Sequence, residues 1–140
     1  MDQVIFVNLP VTDLERSKAF YAGIGATNNP QFSDASAAMM SFSKPVNVMV
    51  LTHERFSTFT TREIVDPHRQ AQVLLALSRE DRAAVDRTVE LAVTAGGKAD
   101  PGPKQEFGVA MYGRSFTDPD GHIWEVMWMD VAAMTAAMKA

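Results

Sequence analysis

Val4-Ile5-Phe6-Val7-Asn8-Leu9-Pro10-Val11 runs straight into Thr12-Asp13-Leu14-Glu15-Arg16-Ser17-Lys18-Ala19-Phe20-Tyr21. The first eight residues carry the β-branched and apolar side chains of a strand. Thr12, with Glu15 three residues later, reads as a capping box that starts a helix. Leu14, Ser17, Phe20 (or Tyr21) and Ile24 recur at helical spacing, and Gly23 and Gly25 close the segment. Strand-like runs follow at residues 37–42 and 46–51, joined through Ser43-Lys44-Pro45, with a further candidate strand near 31–33. The unit reads β-α-β-β with room for one more strand.

The second half repeats this order. Residues 72–77 (Gln72-Val73-Leu74-Leu75-Ala76-Leu77) form a strand, and Ser78 with Asp81 resembles the first helix start. The helix expected over 79–95 places Val85, Val89 and Ala92 on one face and ends at Gly96-Gly97. Strands over 107–116 and 123–129 are joined by Thr117-Asp118-Pro119-Asp120-Gly121, a turn by composition. Setting Thr12 on Ser78 puts Phe6 on Gln72. Ser41-Phe42-Ser43-Lys44-Pro45 then matches Ser115-Phe116-Thr117-Asp118-Pro119, and Val46-Asn47-Val48-Met49 matches Trp124-Glu125-Val126-Met127. The chain is therefore expected to be a single domain of two related modules, 1–51 and 72–129. A polar connector, 52–71, lies between them with Phe56 and Phe59 as its apolar anchors, and an Ala/Met-rich tail, 130–140, should form a short helix.

Composition removes several function classes. The 140 residues include 13 basic and 17 acidic side chains, a net charge of −4, with no Lys/Arg run, so nucleic acid is not an expected partner. No cysteine is present, which excludes a disulfide scaffold, a thiolate metal site and a cysteine nucleophile. Apolar residues make up 46%, enough for a packed core. No apolar run approaches the length of a membrane span, and the N-terminus lacks the basic flank of a signal peptide. The expectation is a soluble, cytoplasmic protein.

The strand-Thr-Asp-Leu-Glu-Arg-Ser-Lys-Ala-Phe-Tyr signature and the later Asp118-Pro119-Asp120-Gly121-His122-Ile123-Trp124-Glu125 closely resemble the glyoxalase/bleomycin-resistance/extradiol-dioxygenase (vicinal oxygen chelate) superfamily. The resemblance covers both modules in order. It implies an α+β fold of two tandem βαβββ modules, whose sheets curl into an open cup with helices on the outer face, commonly in a homodimer. It also implies metal-ligand positions on the first and last strands of each module, which fall on Phe6, Gln72, Asn47 and Glu125. Only Glu125 keeps the expected ligand type. Phe6 has no donor atom, and Asn47 and Gln72 each offer one amide oxygen. The expectation is no ordinary catalytic metal, with at most a weak divalent cation at Asn47, Gln72 and Glu125.

Alternation along the strands extends the wall of this cup. Phe6 implies Asn8 on the same face, Asn47 implies Met49 and Leu51, Gln72 implies Leu74, and Glu125 implies Met127 and Met129. Met111 or Tyr112 joins from the neighbouring strand, according to its phase. An apolar surface with a few amides and one carboxylate is the composition of a small-molecule site. His53, His68 and His122 fall on none of the ligand positions. Glu125 reads as a pocket acid, base or ligand anchor, or else as a carboxylate satisfied by Arg114, Lys104 or backbone donors. Two functions remain open: an enzyme acting on a small organic molecule with Glu125 as acid/base (lyase-, isomerase- or dioxygenase-like), or a non-catalytic protein that sequesters a drug or metabolite.

Overall fold

A computed structural model describes residues 1–139. The chain separates into two compact units, residues 1–70 and 71–140. Ala140, the end of the expected tail, lies outside the described residues.

In the first unit β1 (Ile5–Val11) leads into α1 (Leu14–Gly23), then β2 (Thr27–Asn29), a 3₁₀ turn (Pro30–Phe32), β3 (Ala37–Ser43) and β4 (Val46–Thr52). The sheet order is β1-β4-β3-β2, with β1 parallel to β4 and the other pairs antiparallel. This is a βαβββ module. α1 buries Leu14, Ser17, Phe20 and Tyr21 against the sheet, where Leu9, Val11, Met40, Val48 and Val50 are also buried. Phe20 meets Tyr21 edge-on at 5.1 Å between ring centroids. The helix cap is Asp13 rather than Thr12: the Asp13 side chain accepts from Arg16 N–H at 3.1 Å. Both residues are good caps, and the one whose backbone is extended at the helix boundary takes the role. The strand near 31–33 is instead the 3₁₀ turn, because Pro30 fixes its first position and the Asn29 side chain accepts from Gln31 N–H. The connector opens with a one-turn helix, α2 (His53–Phe56), which contacts β1 and β4.

The second unit repeats the plan. β5 (Leu75–Ser78) leads into α3 (Arg82–Thr94), then β6 (Lys98–Ala99), β7 (Gln105–Phe107), β8 (Met111–Thr117), β9 (Ile123–Met129) and α4 (Val131–Lys139). The order β5-β9-β8-β6 mirrors the first unit, with β5 parallel to β9. α3 is capped by Asp81, which accepts from Ala84 N–H at 2.7 Å, and it buries Val85, Thr88, Val89 and Ala92. The facing side of the sheet supplies Leu77, Phe116, Trp124 and Val126, with Phe116 and Trp124 stacked at 6.5 Å.

Three expectations change here. The strand expected over 72–77 begins only at Leu75, since its parallel partner β9 begins at Ile123 and leaves Gln72 nothing to pair with. The helix expected over 79–95 starts at Arg82, after the Asp81 cap. The strand expected over 107–116 is a hairpin: Gly108 turns the chain at φ 55°, and Ala110 N–H bonds Phe107 O at 2.9 Å. β6 and β7 lie successively along the same edge of β8, separated by Asp100-Pro101-Gly102-Pro103, where the prolines cannot donate to a ladder. The turn before β9 forms as read, with the Asp118 carboxylate accepting from Asp120 N–H at 3.0 Å and His122 N–H at 2.9 Å.

Candidate functional site

Each sheet has one face covered by its long helix and one turned away from it. Alternation assigns the residues. In β9, Trp124, Val126 and Trp128 lie towards α3, leaving Ile123, Glu125, Met127 and Met129 on the opposite face. In β8, Met111, Gly113 and Ser115 share that opposite face, so Met111 rather than Tyr112 is the residue presented there. The register aligns rows across the strands: Ala76–Glu125–Ser115, then Ser78–Met127–Gly113–Gln105, then Met129–Met111–Phe107. The first unit gives the matching rows Phe6–Asn47–Ser41 and Asn8–Met49–Met39.

The matching rows differ in chemistry. Asn47 is 1% exposed, and its amide is consumed locally. The Ser41 hydroxyl donates to Asn47 Oδ1 at 2.5 Å, and Asn47 Nδ2 donates to Ile5 O and Lys44 O, each at 3.3 Å. Asn47 thus fastens three segments: strand β3, the start of β1 and the β3–β4 turn.

Glu125 occupies the equivalent place in the second unit and is half-buried. Among the described residues no side chain or backbone donor bonds its carboxylate. The partners considered from sequence are engaged elsewhere or remain apart. Arg114 lies on the α3 side, where it grips both Asp100 oxygens (3.1 and 2.7 Å) and Asp86 Oδ1 (3.0 Å). Tyr112 donates to the same Asp86 oxygen at 2.7 Å. The Tyr112 hydrogen bond, with Arg114 adding to it, holds the Asp86 carboxyl below the usual range. The Arg114 fork does the same for Asp100. Lys104 makes no bond to Glu125, and the Ser115 hydroxyl oxygen in the same row accepts from Gly102 N–H at 3.2 Å.

The remaining residues singled out in the sequence divide in the same way. Phe6 is 51% exposed and Asn8 is exposed, beside half-buried Met49. Met127 is half-buried one row from Glu125, Met111 is half-buried a row further, opposite Met129, and Leu74 is exposed just before β5. Gln72 is exposed in a bend, and the residue in register with Glu125 is Ala76. Ala76 stands to Glu125 as Phe6 stands to Asn47, whereas counting back from the helix caps Asp13 and Asp81 reaches Leu74, outside the ladder. Ala76, Ser115 and Phe107 belong to the face but were not singled out. For Ser115 the signal was present, since the internal repeat already set it on Ser41. His53 and His68 are exposed on the connector, and His122 closes the turn before β9. Among the described residues no three His, Asp or Glu side chains gather into a metal-binding group. No described helix is long and apolar enough to cross a membrane.

The sequence matches the family model described as Glyoxalase/Bleomycin resistance protein/Dioxygenase superfamily over residues 3–126. A hypothetical protein from S. aureus is similar in structure, with a TM-score of 0.76 at 26% identity over 91% of this chain and 95% of that one. A fosfomycin resistance protein from Mesorhizobium loti has a TM-score of 0.68 at 15% identity, covering 96% and 98%. A bleomycin resistance determinant encoded on the transposon Tn5 has a TM-score of 0.63 at 18% identity, covering 93% and 99%. Comparison with curated proteins gives no significant match.

Proposed function

Because the chain belongs to the glyoxalase/bleomycin resistance protein/dioxygenase superfamily, we propose that it binds a small organic molecule on the face of the second sheet turned away from α3, with Glu125 as the polar anchor. One observation carries this reading: a half-buried carboxylate that no described residue bonds, followed on the same face by Met127 and, one row further, by Met129 and Met111. A carboxylate that no protein donor engages keeps its acceptor sites open to a ligand's proton-bearing group. Structural acids are ordinarily bonded, as Asp86, Asp100 and Asp118 are here. The methionines offer an adaptable apolar wall around it.

The metal implied by the family resemblance does not fit the donors. Phe6 and Ala76 have none, Asn47 is committed to Ser41 and two carbonyls, and Glu125 is a lone carboxylate. A tight site needs several strong ligands that outcompete water for the ion, and this position supplies one, with Gln72 exposed in a bend outside the β5–β9 ladder. The reading therefore runs through side chains alone. Glu125 holds the ligand by accepting its proton-bearing group, and the methionine rows exclude water from the ligand body. The structural neighbours named for antibiotic resistance, at 15% and 18% identity, carry the fold and not the ligand. The open carboxylate equally suits acid/base chemistry, which is the second reading. The exposed sheet edges β1 and β5 support a homodimer as the working form.

The test is a thermal-shift and ligand-observed NMR screen of small aromatic and aliphatic compounds on the parent and on Glu125→Gln. Compounds that raise the parent melt and lose that effect in the variant support the reading. Hits that ignore Glu125, or an empty screen, overturn it. Prolonged incubation of any hit separates the two roles, since an enzyme accumulates product and a sequestering protein saturates.

A further inference from the structure

Resting on that reading, we infer that the ligand is an organic cation: an ammonium group joined by a short linker to a flat apolar body, taken up once per chain. The first ground is a separation of charge across the second sheet. Its guanidinium groups are drawn to the α3 side or along it. Arg114 is held by Asp86 and Asp100, Arg79 donates to Thr88 Oγ1 at 2.9 Å, and Arg82 lies over the rings of Tyr112 (5.0 Å) and Trp128 (5.7 Å). Glu125 stands on the other face with no cation supplied by the described residues. A half-buried site of this kind attracts a positive group more strongly than an exposed carboxylate does, because less water screens it.

The second ground is the spacing of the rows. Met127 follows Glu125 on the same face at two strand residues, about 7 Å, and Met129 lies about 7 Å further on. Met111 and Phe107 extend the outer row across the sheet. An ammonium bonded to Glu125 therefore places a group about 6–7 Å away against the Met127 thioether, and thioethers pack well on aromatic faces and edges. The third ground is the closed counterpart. In the first unit the equivalent position holds Asn47, already saturated by Ser41, Ile5 and Lys44, so that face offers no comparable anchor. The two modules share a backbone plan, and at this position the second carries an acid that no described residue bonds.

Isothermal titration at pH 7 with three matched probes tests this: 2-phenylethylamine, 2-phenylethanol and 3-phenylpropanoate. The amine should bind about tenfold tighter than the alcohol, as expected for one charge-assisted bond. The propanoate should bind weakest, and the amine should saturate at one per chain. Glu125→Gln should level amine and alcohol. Met127→Lys, which sets an ammonium beside an intact Glu125, should do the same, and it carries the test if the first variant does not fold. Alcohol or propanoate binding as tightly as the amine, with Glu125→Gln still weakening them, overturns the cation but leaves the small-molecule reading standing. Saturation at two amines per chain overturns the single-site assignment. No saturable binding of any probe overturns both.

Discussion

Glu125 stands opposite Ser115 in the β8–β9 register, yet the Ser115 oxygen takes its hydrogen bond from Gly102 N–H and the carboxylate takes none from the described residues. The equivalent pair in the first unit, Asn47 and Ser41, is closed by a 2.5 Å hydrogen bond. The same backbone position is thus a fastening in one module and an open acid in the other. An acid with nothing to release can be neutralised without loss. Glu125→Gln should leave unfolding free energy within about 0.5 kcal/mol of the parent or raise it, as at sites held for function. Thermal melts at neutral pH check this. A loss on the order of 3 kcal/mol would mean that the substitution had stranded a buried cation, and Glu125 would then be structural.

Asn47 should behave in the opposite way. Asn47→Ala removes three hydrogen bonds and leaves Ser41 and two backbone carbonyls short of partners in a buried setting. The expected cost is about 2–3 kcal/mol in urea unfolding. Asn47→Asp keeps the acceptor for Ser41 but turns a carboxylate towards Ile5 O and Lys44 O, and should destabilise at least as much at neutral pH. A neutral outcome for both would remove the physical reason why the first unit lacks an anchor.

These contrasts mark where the sequence was legible. The repeat, the strand at Ile123–Met129, its alternation about Glu125 and the Asp118 turn were readable because each rests on local patterning. The helix starts were missed by one to three residues, since Thr12 and Asp13, or Ser78 and Asp81, are comparable caps until the backbone decides. Gln72 was placed by sequence spacing, whereas a parallel strand is placed by its ladder, and that ladder ends at Trp124↔Leu75. The commitments of Asn47 and Arg114 depend on contacts far apart in sequence, such as Asn47 with Ile5 and Arg114 with Asp86. No pattern in the chain announces them.

The Arg114 cluster predicts an acid-sensitive second unit. Asp86 and Asp100 have carboxyls held below the ordinary value of 3.8, Asp86 chiefly by the Tyr112 hydroxyl and then by Arg114, Asp100 by Arg114. Because the folded values are depressed, their contribution is fully present above 3.8 and is lost as pH falls below it through the folded values. Arg114→Met should therefore cost about 2 kcal/mol at neutral pH, where it leaves Asp86 and Asp100 without their shared cation. It should cost progressively less below pH 3.8. Urea midpoints of parent and variant at pH 7 and pH 3 give the comparison. A gap that stays constant between them would sink the ion-pair account.

The edge strands make the last prediction. β1 and β5 each end a sheet and each has an exposed apolar pair at its start: Ile5 and Phe6 open β1 at 57% and 51%, and Val73 and Leu74 immediately precede β5 at 58% and 56%. An unpaired edge flanked by exposed apolar side chains invites another strand, and natural proteins cover or charge such edges. Here neither position carries a charge. A second copy of the chain would cover both edges with the same chemistry, and the expected outcome is a homodimer at about 50 μM, the range where a micromolar contact is nearly saturated. Ile5→Lys with Val73→Lys should shift the population to monomer with little effect on the melt of the folded chain, because both side chains are already exposed. Light scattering across a dilution series reads the change. A parent that is monomeric throughout, or a double variant that dimerises as well as the parent, would show that these edges are not where the copies meet.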